Sequence, residues 1–232
     1  MNKYPPILKP AELAESRLID AILDGSFPFD SMLPPERELA AQLGVTRPTL
    51  RETLQRLERD GWIEIHQGKS TRVCNPWQEG NLAVLEHLAN HSEHYYPQFV
   101  EHLLTVRILL APAFFQAAVQ NNRDEVLELF ATLPNLNTDA RSFAAFDWKV
   151  LKTMSILSGN PVFTLILNGF SKMYLILAEK YFEQPEARIH SCDFYRDIQQ
   201  AAKAADDRRV YEICQKVMQD SIRYWENTGE QY

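Results

Sequence analysis

The stretch Leu43-Gly44-Val45-Thr46-Arg47-Pro48-Thr49-Leu50-Arg51-Glu52 decides how the N-terminal part of the chain folds. Leu43-Gly44 closes a short helix that begins at Pro35, a residue accepted at a helix start because the N–H it lacks would be unpaired there. Thr46 caps the next helix, in which Leu50, Leu54 and Leu57 recur at spacings of four and three and so share one face. That helix is expected to run to Asp60-Gly61. Upstream, Ala14, Leu18, Ala21 and Ile22 follow helical spacing ahead of Gly25, and Phe27-Pro28-Phe29-Asp30 turns the chain. Downstream, Ile63–His66 and Thr71–Cys74 read as two short strands around a Gln67-Gly68-Lys69-Ser70 turn. Three helices and a β-hairpin describe a winged helix-turn-helix over residues 1–76.

Such a unit reads DNA when its second motif helix enters the major groove with its N-terminal side chains at base edges. Arg47 and Arg51 stand four apart, on one face beside the leucine stripe. The planar fork of arginine matches O6 and N7 of guanine together. Thr46 and Thr49 suit phosphate contacts, Arg37 opens the preceding helix towards the same groove, and Gly68-Lys69 gives a cationic wing for the adjacent minor groove. The formal net charge of −7 argues against this only if it is spread evenly. Residues 1–76 hold ten Lys/Arg against eleven Asp/Glu, and residues 77–232 hold fourteen against twenty. The acid therefore lies mainly outside the winged segment. Arg56 and Arg59 are expected as ordinary surface arginines.

Asn75-Pro76 marks a linker, about residues 75–80, and the character changes after it. Only helices are expected from about Asn81 onward, separated by Pro97, Pro134, Gly159-Asn160-Pro161 and Gln184-Pro185. The amphipathic segments are Phe99–Gln120, Ser142–Leu157, Val162–Phe182, Glu186–Ala205 and Arg208–Trp225, with Leu103, Val106, Leu110 and Phe114 as one stripe. Long helices joined by short turns predict an all-α antiparallel helical bundle over residues 77–232, so the fold class is mainly α. A hydrophobic content of 45% excludes disorder as the default. Ile108–Val119 is too short and too interrupted to span a bilayer, and no secretory signal opens the chain. Three widely spaced cysteines, Cys74, Cys192 and Cys214, suit reduced thiols in a cytoplasmic protein.

Leu33-Pro34-Pro35-Glu36-Arg37-Glu38-Leu39-Ala40, the stretch from Leu43 to Glu52, and Leu57-Glu58-Arg59-Asp60-Gly61-Trp62-Ile63 together resemble the GntR superfamily of bacterial regulators. Asn75-Pro76-Trp77, Leu104-Thr105-Val106-Arg107, Ser158-Gly159-Asn160-Pro161, Ile166-Leu167-Asn168-Gly169 and Tyr181-Phe182-Glu183-Gln184-Pro185-Glu186-Ala187-Arg188 resemble its FadR group, the regulators of fatty-acid metabolism. The resemblance implies a homodimer on a palindromic double-stranded DNA operator, released by long-chain acyl-CoA. It also implies repression of fatty-acid degradation genes and activation of some fatty-acid synthesis genes. Arg37, Thr46, Arg47, Thr49, Arg51, Gly68 and Lys69 are the DNA residues it carries over, and Arg107, Tyr181, Ser221 and Trp225 are its acyl-CoA residues. Acyl-CoA would be an effector, with no cofactor. Three features depart from the group's pattern. Pro48 disfavours a helical Arg47 and is expected to shift the helix start. The wing reads His66-Gln67-Gly68. Val217 and Met218 replace an aromatic and a glycine, and Met218 is expected to narrow the pocket mouth or alter the preferred chain.

The residues disfavour three other readings. Many GntR regulators sense a small carboxylate through a metal held by one Asp and three His, but Asp147 is followed one turn later by Leu151, and Tyr195 and Asp220 occupy the later regions. His87, His91 and His94 have ligand-like spacing, yet only Glu86 or Glu93 offers a further donor, so surface histidines are expected and no metal site is assigned. An enzyme is disfavoured, because the second part shows neither a Gly-rich phosphate loop nor a nucleophile elbow. A GntR-type repressor sensing another small metabolite, such as a carboxylate, stands as the alternative.

Overall fold

The computed structural model describes residues 9–226 other than Gln67, Asn90 and Pro97, and leaves aside the side chains of Glu93 and Glu226. These residues form two compact units, one ending at His94 and one beginning at Tyr95.

The first unit contains α1 (Pro10–Leu23), α2 (Glu36–Leu43), α3 (Arg47–Asp60), β1 (Ile63–Glu64), β2 (Arg72–Val73), α4 (Pro76–Glu79) and α5 (Ala83–Leu88), then a 3-10 turn at Ser92–His94. Leu18, Ile22, Leu39, Leu50, Leu57 and Trp62 fill its core. The leucine stripe read from the sequence is thus buried, each such side chain contributing about 1.5–3 kcal/mol. α2 ends at Gly44, in the left-handed conformation with φ 68°, where Arg17 Nη1 donates to Leu43 O at 2.8 Å. Thr46 caps α3 and accepts from Thr49 N. Pro48 does not shift this start, because it occupies the first turn, where a missing N–H breaks no helical bond.

The strands are shorter than expected. β1 and β2 pair antiparallel only through Ile63–Val73 and Glu64–Arg72, with an added bridge from Met32 to Arg72. The expected linker is also folded. Asn75 Oδ1 caps α4 by accepting from Trp77 N, and Asn81 Nδ2 donates to Arg59 O at 3.0 Å. Val84, Leu88 and Ala89 are buried, and the His87 ring meets Trp62 edge-on at 6.0 Å. The composition break at residue 76 therefore falls inside the first compact unit, which continues to His94.

The second unit contains α6 (Phe99–Asn121), α7 (Arg123–Leu129), α8 (Ala140–Leu157), α9 (Pro161–Gly169), α10 (Ser171–Tyr181), α11 (Pro185–Lys203) and α12 (Asp207–Glu226). α6 is the central helix and packs on α8 and α12. By length and composition alone α6 is apolar enough to cross a membrane, but Phe114, Phe115 and Ala118 place it in the bundle core and Arg107 interrupts it. Asn121 and Asn122 side chains donate to Ser158 O and Leu157 O, tying the end of α6 to the end of α8.

Two features correct the sequence-based helices. α7 was not anticipated. The single helix expected over Val162–Phe182 is two helices, bent by 67° between Gly169 and Ser171. Asn168-Gly169 are poor helix formers, and Phe170 N–H turns back to Asn168 and Leu167 carbonyls at the break.

Gly61 sits at a close backbone approach within the first unit. It adopts φ 87°, and a Cβ there would lie 2.7 Å from Gly80 Cα. Gly61→Ala combines a left-handed alanine, costing about 1–2 kcal/mol, with a backbone clash. It is expected to destabilise the chain by more than about 2 kcal/mol in urea unfolding.

Candidate functional site

Seven arginines and lysines fall between residues 37 and 72, and the structure sorts them. Arg72 is enclosed by acids, with Asp30 at 2.9 Å, Glu64 at 2.9 Å and Glu79 at 2.6 Å. Arg59 pairs with its neighbour Asp60 at 2.9 Å, and Arg56 pairs with Glu52 and Glu15. These three are neutralised within the unit. Arg37, Arg47, Arg51 and Lys69 are exposed instead.

Arg47 and Arg51 project from the first two turns of α3 and converge on one acceptor. Glu36 Oε2, in the first turn of α2, lies 3.7 Å from Arg47 Nη2 and 2.8 Å from Arg51 Nε. Exposed pairs of this kind add little stability. Their effect is orientation, because one carboxylate holds two guanidinium groups at the open end of the helix. Glu36 was not singled out from sequence, since its pairing with Arg51 crosses from one helix to the next. Thr46 and Thr49 hydroxyls lie 2.9 Å apart at the same helix start. Gly68 and Lys69 sit on the wing loop, where Lys69 N donates to His66 O, and Ile65 N donates to Glu58 Oε1 to fasten the wing base to α3. Gln67 of the wing lies outside the described residues.

The second unit encloses a cavity of about 970 Å³ free of protein atoms, its open mouth included. Its walls are nearly all apolar. The stripe Leu103, Val106, Leu110 and Phe114 lines this space together with Phe163, Leu167 and Phe170, while Phe114 also packs in the bundle core against the Phe163 ring at 5.8 Å. Arg107, Tyr181, Ser221 and Trp225, the four residues expected to meet an effector, all line the same cavity.

A polar network sits in this apolar wall. Arg107 Nε is buried with no hydrogen-bond partner, and its guanidinium lies 6.0 Å from the centre of the Tyr174 ring. Burial works against the charged form, but Tyr174 and Asp147 more than offset it, and the Arg107 pKa stays above the ordinary arginine value. Asp147 accepts one hydrogen bond from the Tyr174 hydroxyl and one from the Tyr195 hydroxyl. Burial pushes both phenols well above the ordinary tyrosine value, so they remain donors. Asp147 and Tyr195 had been considered from sequence only as metal-site positions, and Tyr174 gave no signal. Asp147 is the one carboxylate among the described lining residues, no imidazole joins it, and both its oxygens are already engaged. That donor set does not suit a metal-held carboxylate.

Ser221 lines the cavity, and its Oγ donates to Met218 O at 2.6 Å. The Met218 side chain is buried in the bundle core and is not part of the cavity wall, contrary to the expectation that it narrows the mouth. Val217 lines a separate polar cleft between α11 and α12. Asp147→Ala removes the counter-charge of Arg107 and leaves two phenols without an acceptor. It is expected to cost about 3–5 kcal/mol in denaturant unfolding.

Residues 10–73 match the gntR family of bacterial regulatory proteins, and residues 74–231 match the FadR C-terminal domain. A fatty acid metabolism regulator protein of Shewanella pealeana is 41% identical over 220 residues, covering 92% of each chain. One of Shewanella oneidensis is 42% identical over 195 residues, covering 84% of this chain and 81% of the relative. Among solved structures, Lar, described as controlling expression of the Listeria monocytogenes agr system, shares the fold with a TM-score of 0.62 at 12% identity, over 96% of this chain and 99% of that one. With a GntR winged helix carrying the exposed arginines and a FadR-type helical unit carrying the cavity, the chain belongs to the gntR family of DNA-binding transcriptional regulators, within its fatty acid metabolism regulators, and is not an enzyme.

Proposed function

We propose that this chain is a cytoplasmic regulator that binds a palindromic operator as a homodimer and leaves it when long-chain acyl-CoA fills the helical unit. In this reading it represses fatty-acid degradation genes and activates some fatty-acid synthesis genes. The observation that carries the ligand assignment is the Arg107 Nε donor, buried without a hydrogen-bond partner, on a residue that lines a mostly apolar cavity. A ligand that satisfies both features needs a long hydrocarbon chain and a hydrogen-bond acceptor near one end. An acyl thioester offers the carbonyl, and the CoA phosphates lie beyond it. Tyr181 and Trp225 supply amphipathic walls for the junction between chain and head. The Shewanella relatives are named as fatty acid metabolism regulators, which favours an effector drawn from that metabolism.

On the DNA side, Arg47 and Arg51 read base edges, with Arg37 and Lys69 adding charge and Thr46 and Thr49 marking the phosphate-facing start of α3. Two half-sites engaged together gain affinity from linkage, so a ligand that changes how the pair engages lowers occupancy steeply. The ligand acts only through its preference for the DNA-free state, and about 5.5 kcal/mol of preference reverses a 1:99 balance. The charged Arg107 donor also favours a second reading, in which a free carboxylate is the effector.

A gel shift on the operator, titrated with palmitoyl-CoA, free CoA, short acyl-CoAs and palmitate, tests the proposal. Release by palmitoyl-CoA alone supports it, release by palmitate alone supports the carboxylate reading, and no release by any of them rejects both. Each buried methylene adds about 0.8 kcal/mol, so acyl-CoA affinity is expected to rise roughly 15-fold per two carbons until the cavity is full. Arg47→Ala is expected to cost about 1–3 kcal/mol on the operator and to relax preference at one base pair. An equal loss on every sequence would mark Arg47 as a phosphate contact instead.

A further inference from the structure

We propose that Asp20, His91 and His94 form a binding site for a divalent transition-metal ion of the zinc type, within the first unit and separate from both the α3 face and the cavity. Asp20 lies in α1, and the two histidines lie at the end of the unit, where His94 N–H donates to His91 O at 3.0 Å. A 3-10 turn eclipses side chains three apart, which brings both imidazoles to one edge. One donor atom from each of the three residues lies within 4.8 Å of the others. Asp20 Oδ1 stands 2.6 Å from His91 Nδ1 and 3.5 Å from His94 Nε2.

Three further observations favour an ion over a simple His–Asp contact. Asp20 Oδ1 is buried and accepts no hydrogen bond, so the short approach of His91 is not oriented as an N–H donor should be. The two imidazole rings are tilted by 34° with centres 6.3 Å apart, so they converge without stacking. His91 is buried, whereas Asp20 and His94 are partly exposed. Two imidazoles and a carboxylate make a donor set suited to a borderline cation. Metal–ligand bonds of about 2.0–2.2 Å imply donor separations of about 3.3 Å. The Asp20–His94 pair already has this spacing, and His91 needs to withdraw by about 0.7 Å to match it.

His91 was expected on the surface and is buried. His87, grouped with the other two by spacing, faces Asp60 at 3.0 Å and Glu15 at 3.4 Å instead. The partner that completes the site, Asp20, is remote in sequence, and only the packing of the segment after α5 on α1 reveals it. An ion there closes the chain between residues 20 and 91 and restricts the unfolded ensemble. It would therefore fasten the last turn of the first unit to α1 and raise the stability of the DNA-reading unit.

The test uses tag-free full-length protein, stripped with EDTA and dialysed. Zn²⁺ is titrated by calorimetry, Co²⁺ by visible absorption, and thermal unfolding is followed with and without Zn²⁺. Asp20→Asn and His94→Ala are compared with the parent, because neither side chain is fully buried and circular dichroism verifies that each variant folds. The site predicts one Zn²⁺ per chain, Co²⁺ bands of a four- or five-coordinate nitrogen–oxygen set, and a Tm that rises with Zn²⁺ concentration. Both variants should bind at least tenfold more weakly and lose the Tm response. Absence of stoichiometric binding would overturn the proposal and leave an ordinary His–Asp contact. Undiminished binding in either folded variant would also overturn it, by placing the ion elsewhere.

Discussion

An arginine set in an apolar wall, with its Nε atom buried and without a hydrogen-bond partner, is the constraint on which the second unit turns. Arg107 needs compensating charge to stay ionised, and Asp147 supplies it while the Tyr174 and Tyr195 hydroxyls satisfy the carboxylate. The cost of burying such a group is several kcal/mol unless its donors are met. Asp147 and its tyrosines meet only part of that demand, since Arg107 Nε has no acceptor. A cavity lined mainly by leucine and phenylalanine, with Arg107 in its wall, is complementary to a molecule that is mostly hydrocarbon with one polar junction. The same residues that stabilise the charge therefore define what the space can accept.

The first unit handles charge by a different route. An overall charge of −7 says little about the DNA-reading face, because ion pairs within the unit decide which cations remain available. Arg56, Arg59 and Arg72 are tied to neighbouring acids and brace the unit. Arg47 and Arg51 stay exposed and share Glu36, which orients both forks without enclosing them. Local placement, rather than net charge, makes the surface suited to a phosphate-lined groove.

Local chemistry was legible in the sequence. The Thr46 cap, the leucine stripe of α3 and the glycine ending α2 each follow from interactions a few residues long, and the structure places them as read. Arg107, Tyr181, Ser221 and Trp225 came from resemblance, and all four line one cavity. What escaped depends on contacts distant along the chain. The break at Phe170 lies in a segment whose apolar pattern continues on both sides, so periodicity alone does not locate it. Asn75-Pro76 and the change of character after it read as a linker, yet the close approach of Gly80 to Gly61 and the burial of Val84 and Leu88 fold this segment onto the winged helix. The stripe on α6 was correctly seen as apolar, but a stripe does not reveal whether it faces packed side chains or a cavity.

The most direct test of the account is the Nε–H resonance of Arg107, followed by nitrogen-edited NMR and assigned with Arg107→Lys, as palmitoyl-CoA is added. If the buried donor recognises the ligand's carbonyl, that resonance moves downfield on addition of palmitoyl-CoA and stays in place when hexadecane or free CoA is added instead. A resonance unchanged at saturating palmitoyl-CoA would contradict the account, because the ligand would then bind without meeting the charge that shapes the cavity.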